Sequence, residues 1–140
     1  MTSKNRITIQ AIIKVPRDKV WNYYTEPEHI VNWNQASEDW HTTRAENDLR
    51  VGGKFVSRME AKNKSAGFDF EGIYDVVKPN EYIEYTMPDG RKVEVEFSVK
   101  SDNTLVKIIF DPENSNSLER QKQGWQAILN NFKKYVEGIE

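Results

Sequence analysis

Between Val93 and Lys100 every second residue is apolar: Val93, Val95, Phe97 and Val99 alternate with Glu94, Glu96, Ser98 and Lys100. Successive side chains of an extended chain point to opposite faces, so this pattern is satisfied by a strand with one dry face and one wet face. The pattern recurs on either side. Val106, Ile108 and Phe110 are set against Lys107, and Phe68, Phe70, Gly72, Tyr74 and Val76 alternate with Asp69, Glu71 and Asp75. Turn-forming residues punctuate the region from Trp40 to Phe110 at Gly52-Gly53, Asn63 to Gly67, Pro79-Asn80, Asp89-Gly90 and Asp102-Asn103. The expectation is an antiparallel meander whose dry faces all point one way.

What covers that dry face is encoded at the chain's end. From about Ser117 to Gly138 the period changes, and Trp125, Ile128, Leu129, Phe132, Tyr135, Val136 and Ile139 recur at three and four residues, the signature of an amphipathic helix. Ser115, Asn116 and Ser117 offer N-cap side chains, and Gly138 suits a C-terminal cap. Ahead of the meander, Ile7 to Ile13 reads as a strand. Pro16 suits a first helical residue, with Val20, Trp21 and Tyr24 on one face, and Pro27 pushes Glu26 out of helical geometry and opens a second short helix carrying Ile30, Val31 and Trp33. The predicted class is α+β: a curved antiparallel sheet of about seven strands around a long C-terminal helix, with two short helices after the first strand. One helix cannot fill a strongly curved sheet along its whole length, so a pocket is expected between them.

At 140 residues, with no repeat, low-complexity tract or linker-like stretch, the chain is expected to form a single domain, 1–140. A net charge of -2 argues against a dedicated nucleic-acid binder. The lack of cysteine excludes thiol catalysis, disulfides and cysteine-ligated zinc, and fits a reducing compartment. Met1 to Arg6 leads into a strand instead of an apolar leader, and no apolar run approaches spanning length, so a cytoplasmic location without membrane insertion is expected. Asn63-Lys64-Ser65 matches a glycosylation acceptor, which that location leaves unused.

The succession Pro16, Val20-Trp21, Thr25, Pro27-Glu28, Trp33, then Asp48-Leu49-Arg50-Val51-Gly52-Gly53-Lys54-Phe55, Met59, Gly72, Tyr74, Tyr85-Thr86, Asp89-Gly90, Val95-Glu96-Phe97 and Gly124-Trp125 resembles the activator of heat-shock-protein-90 ATPase homologue-like family. That family lies within the START/polyketide-cyclase (SRPBCC) superfamily. The likeness runs from about Ile7 to Val136; its best marks are the Asp48 to Gly53 segment and Gly124-Trp125. It implies a helix-grip fold with a deep cavity between sheet and helix. The eukaryotic chaperone activator has a further N-terminal domain without a counterpart in this sequence, so the resemblance carries the fold further than it carries chaperone stimulation.

The residues expected to line the cavity are Trp33, Phe55, Met59, Phe70, Tyr74, Tyr85 and Trp125, bulky or adaptable side chains with a few hydroxyl and indole donors among them. Plain core packing is the competing role of each. His29 and His41, with Glu28, Glu38 and Asp39 nearby, lack the spacing of a metal site, so neither metal nor other cofactor is expected, and His41 beside Trp40 is a minor candidate for a general base at the cavity mouth. Gly52-Gly53 reads as a turn, not a phosphate loop, because Lys54-Phe55 continues into a strand. At Gly72 and Gly124 the missing side chains are expected to let sheet and helix approach closely, with space left for a ligand as the less favoured alternative. Lys133-Lys134 and Glu113 to Arg120 read as solvated surface. Binding of a small hydrophobic or amphipathic molecule (a lipid, polyketide or aromatic metabolite) leads. A cyclase-, aromatase- or hydrolase-like enzyme using the same cavity follows, and a chaperone-related interaction protein comes third. An inward ionisable group with a perturbed pKa would favour the enzyme, and a wholly apolar lining the binder. Ile12, Val56, Ile73 and Ile109 fall on the wet faces, leaving open a second apolar patch or a homodimer contact.

Overall fold

A computed structural model of the chain describes residues 6–139; the reading of Met1 to Asn5 lies outside them. The elements follow in the order β1 (Ile7–Ile13), α1 (Arg17–Thr25), α2 (Pro27–Trp33), β2 (Trp40–Asn47), β3 (Lys54–Ala61), β4 (Gly67–Lys78), β5 (Tyr82–Thr86), β6 (Lys92–Lys100), β7 (Asn103–Phe110) and α3 (Leu118–Ile139). Seven strands form one sheet in the order β1-β7-β6-β5-β4-β3-β2. Every neighbouring pair is antiparallel, and only the β1 to β7 neighbourhood departs from a simple meander. The ladder slips register between Thr42 and Arg44 and between Tyr74 and Val76. Such bulges bend a strand and tighten its twist, which curls the sheet around α3 into the α+β helix-grip arrangement. Among the described residues no helix is long and apolar enough to cross a membrane.

The helix boundaries follow local chemistry. Pro16 stands one residue earlier than expected, as the extended N-cap of α1, and its carbonyl accepts the Val20 N–H at 3.1 Å. Pro27 is the first residue of α2, and Glu26, extended at φ −83° and ψ 127°, separates the two helices. Ser117 caps α3, its Oγ accepting the Arg120 N–H at 3.1 Å. Gly138 does not follow α3 as a cap; the helix runs through it to Ile139.

The core sits where α3 meets β1, β7 and β6. Ile13, Val93, Val95, Val106, Phe110, Phe132 and Val136 have at most 0% of their surface exposed, and Ile9, Phe97 and Leu129 only 2%. Polar contacts fasten α3 to both flanks. On the β1 edge, Gln126 donates to the Gln10 carbonyl at 3.3 Å and Lys133 to the Ile12 carbonyl at 2.6 Å. On the other side Asn131 donates to the Trp33 carbonyl at the end of α2, at 2.8 Å.

Strand alternation misplaces three side chains. Phe68 and Val99 share the inner parity of their strands but lie 48% and 56% exposed, because they stand near strand ends beyond the helical cover. Val76 turns outward, since the bulge at Asp75 resets the parity: Val76 pairs with Glu84, and Val77 with inward Ile83. Val77 takes the place against the core. Of the apolar residues on the wet side, Ile12 and Ile73 are exposed, and Val56 and Ile109 are half-buried.

Candidate functional site

Away from β1, the sheet and the helices do not meet. There a cavity of about 330 Å³ lies between the inner faces of β3, β4 and β5, the α1–α2 pair and the N-terminal half of α3, a volume within the range of small-molecule sites. Trp33, Phe55, Met59, Phe70, Tyr74, Tyr85 and Trp125 all stand on its wall. The rings of Phe55, Phe70, Tyr74, Tyr85 and Trp125 are linked ring to ring. Phe55 meets Tyr85 edge-on at 4.7 Å and Tyr74 at 5.4 Å, while Phe70 bridges to Trp125 at 6.0 Å. Trp125 stacks flat on Phe110 at 4.0 Å, which fixes its ring between core and cavity. Trp33 donates its indole N–H to the Tyr23 carbonyl at 2.9 Å and so offers the cavity an aromatic face.

Gly72 explains how two rings share so little sheet. A Cβ there would lie 2.8 Å from the Phe55 ring and 3.0 Å from that of Tyr85. The close approach is thus between rings of neighbouring strands across Gly72, not between sheet and helix. Gly124 departs from the favoured expectation of close approach: nothing lies within 4 Å of a Cβ built on it. Gly53 is required by backbone, a Cβ falling 2.0 Å from the Asp48 carbonyl oxygen, and Gly52 adopts φ +85°. Together they make the turn into β3 and bond to Tyr74 on β4, the Gly52 N–H donating to its carbonyl at 2.8 Å and the Tyr74 N–H to that of Gly53 at 3.0 Å.

The wall also carries polar residues that sequence reasoning missed: Tyr24 from α1, Asn34 after α2, Asn47 at the end of β2 and Ser57 on β3. Ser57 had a signal, since it lies between Phe55 and Met59 at the two-residue spacing of one strand face. Tyr24 stacks on Trp33 at 5.0 Å. Tyr74 donates to Asn47 Oδ1 at 2.5 Å, and Asn47 Nδ2 donates to the Thr25 carbonyl at 2.6 Å, a relay that fixes both side chains. Burial pushes the Tyr24, Tyr74 and Tyr85 hydroxyls well above the ordinary tyrosine pKa, and the three are close enough for the charge of one to oppose that of another. All three stay protonated near neutral pH. At the rim, Arg91 on the β5–β6 hairpin is paired with Asp89 at 2.7 Å. Glu113 is committed to the loop before α3: it accepts from the Asn116 side chain at 2.6 Å and from the backbone of Ser115 and Asn116, which lowers its pKa.

His41 is not at the cavity. It pairs with Glu60 across β2 and β3, while its neighbour Thr42 pairs with inward Met59, so the parity that buries Thr42 turns His41 to the outer face. His29 packs edge-on against Tyr23 at 4.7 Å, with Nδ1 2.8 Å from the Tyr135 hydroxyl. Glu26, Glu28 and His29 approach one another closely enough to share an ion, and neither Glu38 nor Asp39 joins them.

The sequence matches the family model described as activator of Hsp90 ATPase homolog 1-like protein over residues 14–137. A solution structure of an AHSA1-like protein from Aeromonas hydrophila is 44% identical, with a TM-score of 0.90 over 96% of this chain and 93% of that one. A Cytophaga hutchinsonii protein is 49% identical, with a TM-score of 0.84 over 97% and 94%. A Nitrosomonas europaea protein at 19% identity shares the fold, with a TM-score of 0.83 over 96% of both chains. No curated protein matches. The fold is one that commonly encloses hydrophobic ligands, and the chain belongs to the activator of Hsp90 ATPase homolog 1-like family of the SRPBCC superfamily.

Proposed function

We propose that the protein binds a small hydrophobic or amphipathic molecule, of the lipid, polyketide or aromatic-metabolite class, in the cavity between α3 and strands β3 to β5. The observation that carries this reading is the cavity of about 330 Å³ walled by aromatic rings, Met59 and a few buried polar groups. Apolar surface gathered there is withdrawn from water when a ligand fills it, at about 25 cal/mol per Å² removed. An acid–base enzyme would be favoured by an inward group shifted toward neutrality. The cavity tyrosines are shifted the other way, which suits them to donating hydrogen bonds and not to exchanging protons near pH 7.

Two measurements test the proposal. Purified protein is denatured, extracted with organic solvent and compared by mass spectrometry with an unrelated protein prepared identically; a specific, near-stoichiometric apolar compound is expected. The delipidated protein is then titrated with N-phenyl-1-naphthylamine, a neutral fluorescent probe, while the emission of Trp33 and Trp125 is followed. Saturable one-to-one binding is expected, and Trp125→Phe should weaken it more than it lowers the unfolding midpoint. A clean extract together with no saturable binding would sink the reading.

A further inference from the structure

Among the described residues, the charged side chains on the cavity wall are Glu46, Arg91 and Glu113, and Arg91 alone is a cation. Both carboxylates are engaged elsewhere. The Glu46 side chain is 67% exposed and pairs with Arg44 at 3.2 Å, and Glu113 accepts from Asn116 within its own loop. Arg91 is engaged on one edge only: its Nε donates to Asp89 Oδ2 at 2.7 Å, and among the described residues neither terminal guanidinium nitrogen donates to a protein group. It also stands where the sheet is incomplete. Among the described residues Gly67 to Gly72 of β4 pair with β3 alone, because β5 ends at Thr86 opposite Ile73 and the chain turns back into β6. Met87 and Pro88 of that turn border a depression together with Glu71 and Gly72. Phe68, beyond them on β4, is 48% exposed and also on the cavity wall, which marks where the cavity meets solvent.

We infer that the cavity takes a monocarboxylate amphiphile, its apolar body among the aromatic rings and its carboxylate against Arg91 at the rim. This rests on the binding proposed above and narrows it. The free edge of the guanidinium presents a planar fork of N–H donors that matches the two oxygens of a carboxylate. A carboxylate deep among the rings would forfeit its hydration, whereas one at the rim keeps part of it and gains a charge-assisted bond. The Asp89 side chain, 54% exposed, is a weak competitor for the same cation. A cationic head group would be repelled by Arg91. A phosphate dianion would bring a second negative charge to a wall with one cation and a glutamate beside the same opening. A single negative charge on a planar head is what this rim is built to meet.

The test titrates the full chain and its Arg91→Gln, Arg91→Lys and Asp89→Asn variants by calorimetry with decanoate, decanol and decyl phosphate, which share one apolar chain. The quantity read is the ratio of decanoate to decanol affinity within each protein, so that a change in cavity shape cancels. Arg91→Gln should lower that ratio about tenfold, as loss of a charge-assisted hydrogen bond does. Arg91→Lys, which keeps the charge without the fork, should lower it less, and Asp89→Asn, which removes the competitor, should raise it. Independently of any variant, added salt should lower the ratio, since charges at a rim are screened. Failure of decanoate to bind, a ratio unmoved by Arg91→Gln, or an Arg91-dependent gain confined to decyl phosphate overturns the carboxylate inference and leaves the apolar-ligand reading standing. Failure of all three ligands and of N-phenyl-1-naphthylamine to bind overturns that reading and this inference with it.

Discussion

Strands β1, β7 and β6 on one side of the sheet, and β3, β4 and β5 on the other, present apolar inner faces of the same parity, but α3 covers only the first set closely. Over the first set the inner residues are chiefly valine, isoleucine and two phenylalanines, and most are wholly buried. Over the second they are Phe55, Met59, Phe70, Tyr74 and Tyr85, which surround open space and bring hydroxyls into it. The difference lies in cover and in side-chain kind, not in strand pattern. Branched aliphatics interdigitate with a helix at close range, whereas the rings of Phe55 and Tyr85 crowd together across Gly72 and face the cavity. One half of the molecule carries its stability, and the other is free to carry recognition.

The strongest way to break this contrast is to truncate one ring in each half. Phe97 on β6 is 2% exposed and touches Trp21 and Tyr24 edge-on at 5.2 and 5.5 Å. Phe97→Ala should cost about 3–5 kcal/mol, as core aromatic truncations do, read as a lower urea midpoint at unchanged slope. Phe70 is half-buried at the cavity, and Phe70→Ala should cost less than about 2 kcal/mol, since its ring loses less contact. Affinity for N-phenyl-1-naphthylamine should fall in the second variant. Equal stability losses would mean that both halves are packed alike.

The two halves were not equally legible in the sequence. Alternation over β6 and β7 and the helical period of α3 located the filled half almost residue by residue, because both sides of that interface obey one simple period each. For the cavity half Phe70 and Tyr74 followed from the same alternation, Phe55, Met59 and Tyr85 were named for their bulk or adaptability, and all seven named residues stand on its wall. Tyr24 and Asn34 did not follow, since they reach the cavity from the short α1 and from the turn after α2, where two or three turns of helix give no firm phase. The outward turn of Val76 was hidden because a bulge shifts parity without a distinctive residue; Asp75 is as polar as any outer-face neighbour. Alternation tells which way a side chain points and is silent on what lies above it, hence the exposed Phe68 and Val99. The emptiness around Gly124 depends on how far α3 stands from its neighbours, which no local pattern records.

A subtler disturbance acts on the wall itself. Gly72→Ala would set a methyl 2.8 Å from the Phe55 ring, and the rings must then move into the cavity. Overpacking of this kind costs about 1–3 kcal/mol in a filled core. Here the neighbouring space absorbs part of the displacement, so the stability loss should fall at the lower end while affinity for N-phenyl-1-naphthylamine drops. A full overpacking cost with unchanged affinity would show that the wall is as rigid as the core and the cavity independent of it.

The smallest effect expected concerns the outer face of the filled half, where Arg6 donates to Glu94 at 2.6 Å and to Asp111 at 2.9 Å, tying the start of β1 to β6 and to the end of β7. The hydrogen bond from Arg6 holds the Glu94 carboxyl below its ordinary pKa, burial opposes it, and the Tyr82 hydroxyl, donating at 2.9 Å, adds to the lowering. A carboxyl whose folded pKa is depressed contributes stability that is present above the unfolded value, about 4.3 for glutamate, and is lost as the pH falls through the folded value. Partly exposed pairs are worth at most about 1 kcal/mol. Glu94→Gln should therefore lower stability by no more than that at pH 7, and the gap to the unsubstituted protein should close as the pH falls below about 4. Because the pair lies on the face away from the cavity, N-phenyl-1-naphthylamine affinity should not change. A gap that persists in acid would assign the loss to packing around Tyr82 instead of to charge, and a change in affinity would couple the outer face of the filled half to the cavity across the sheet.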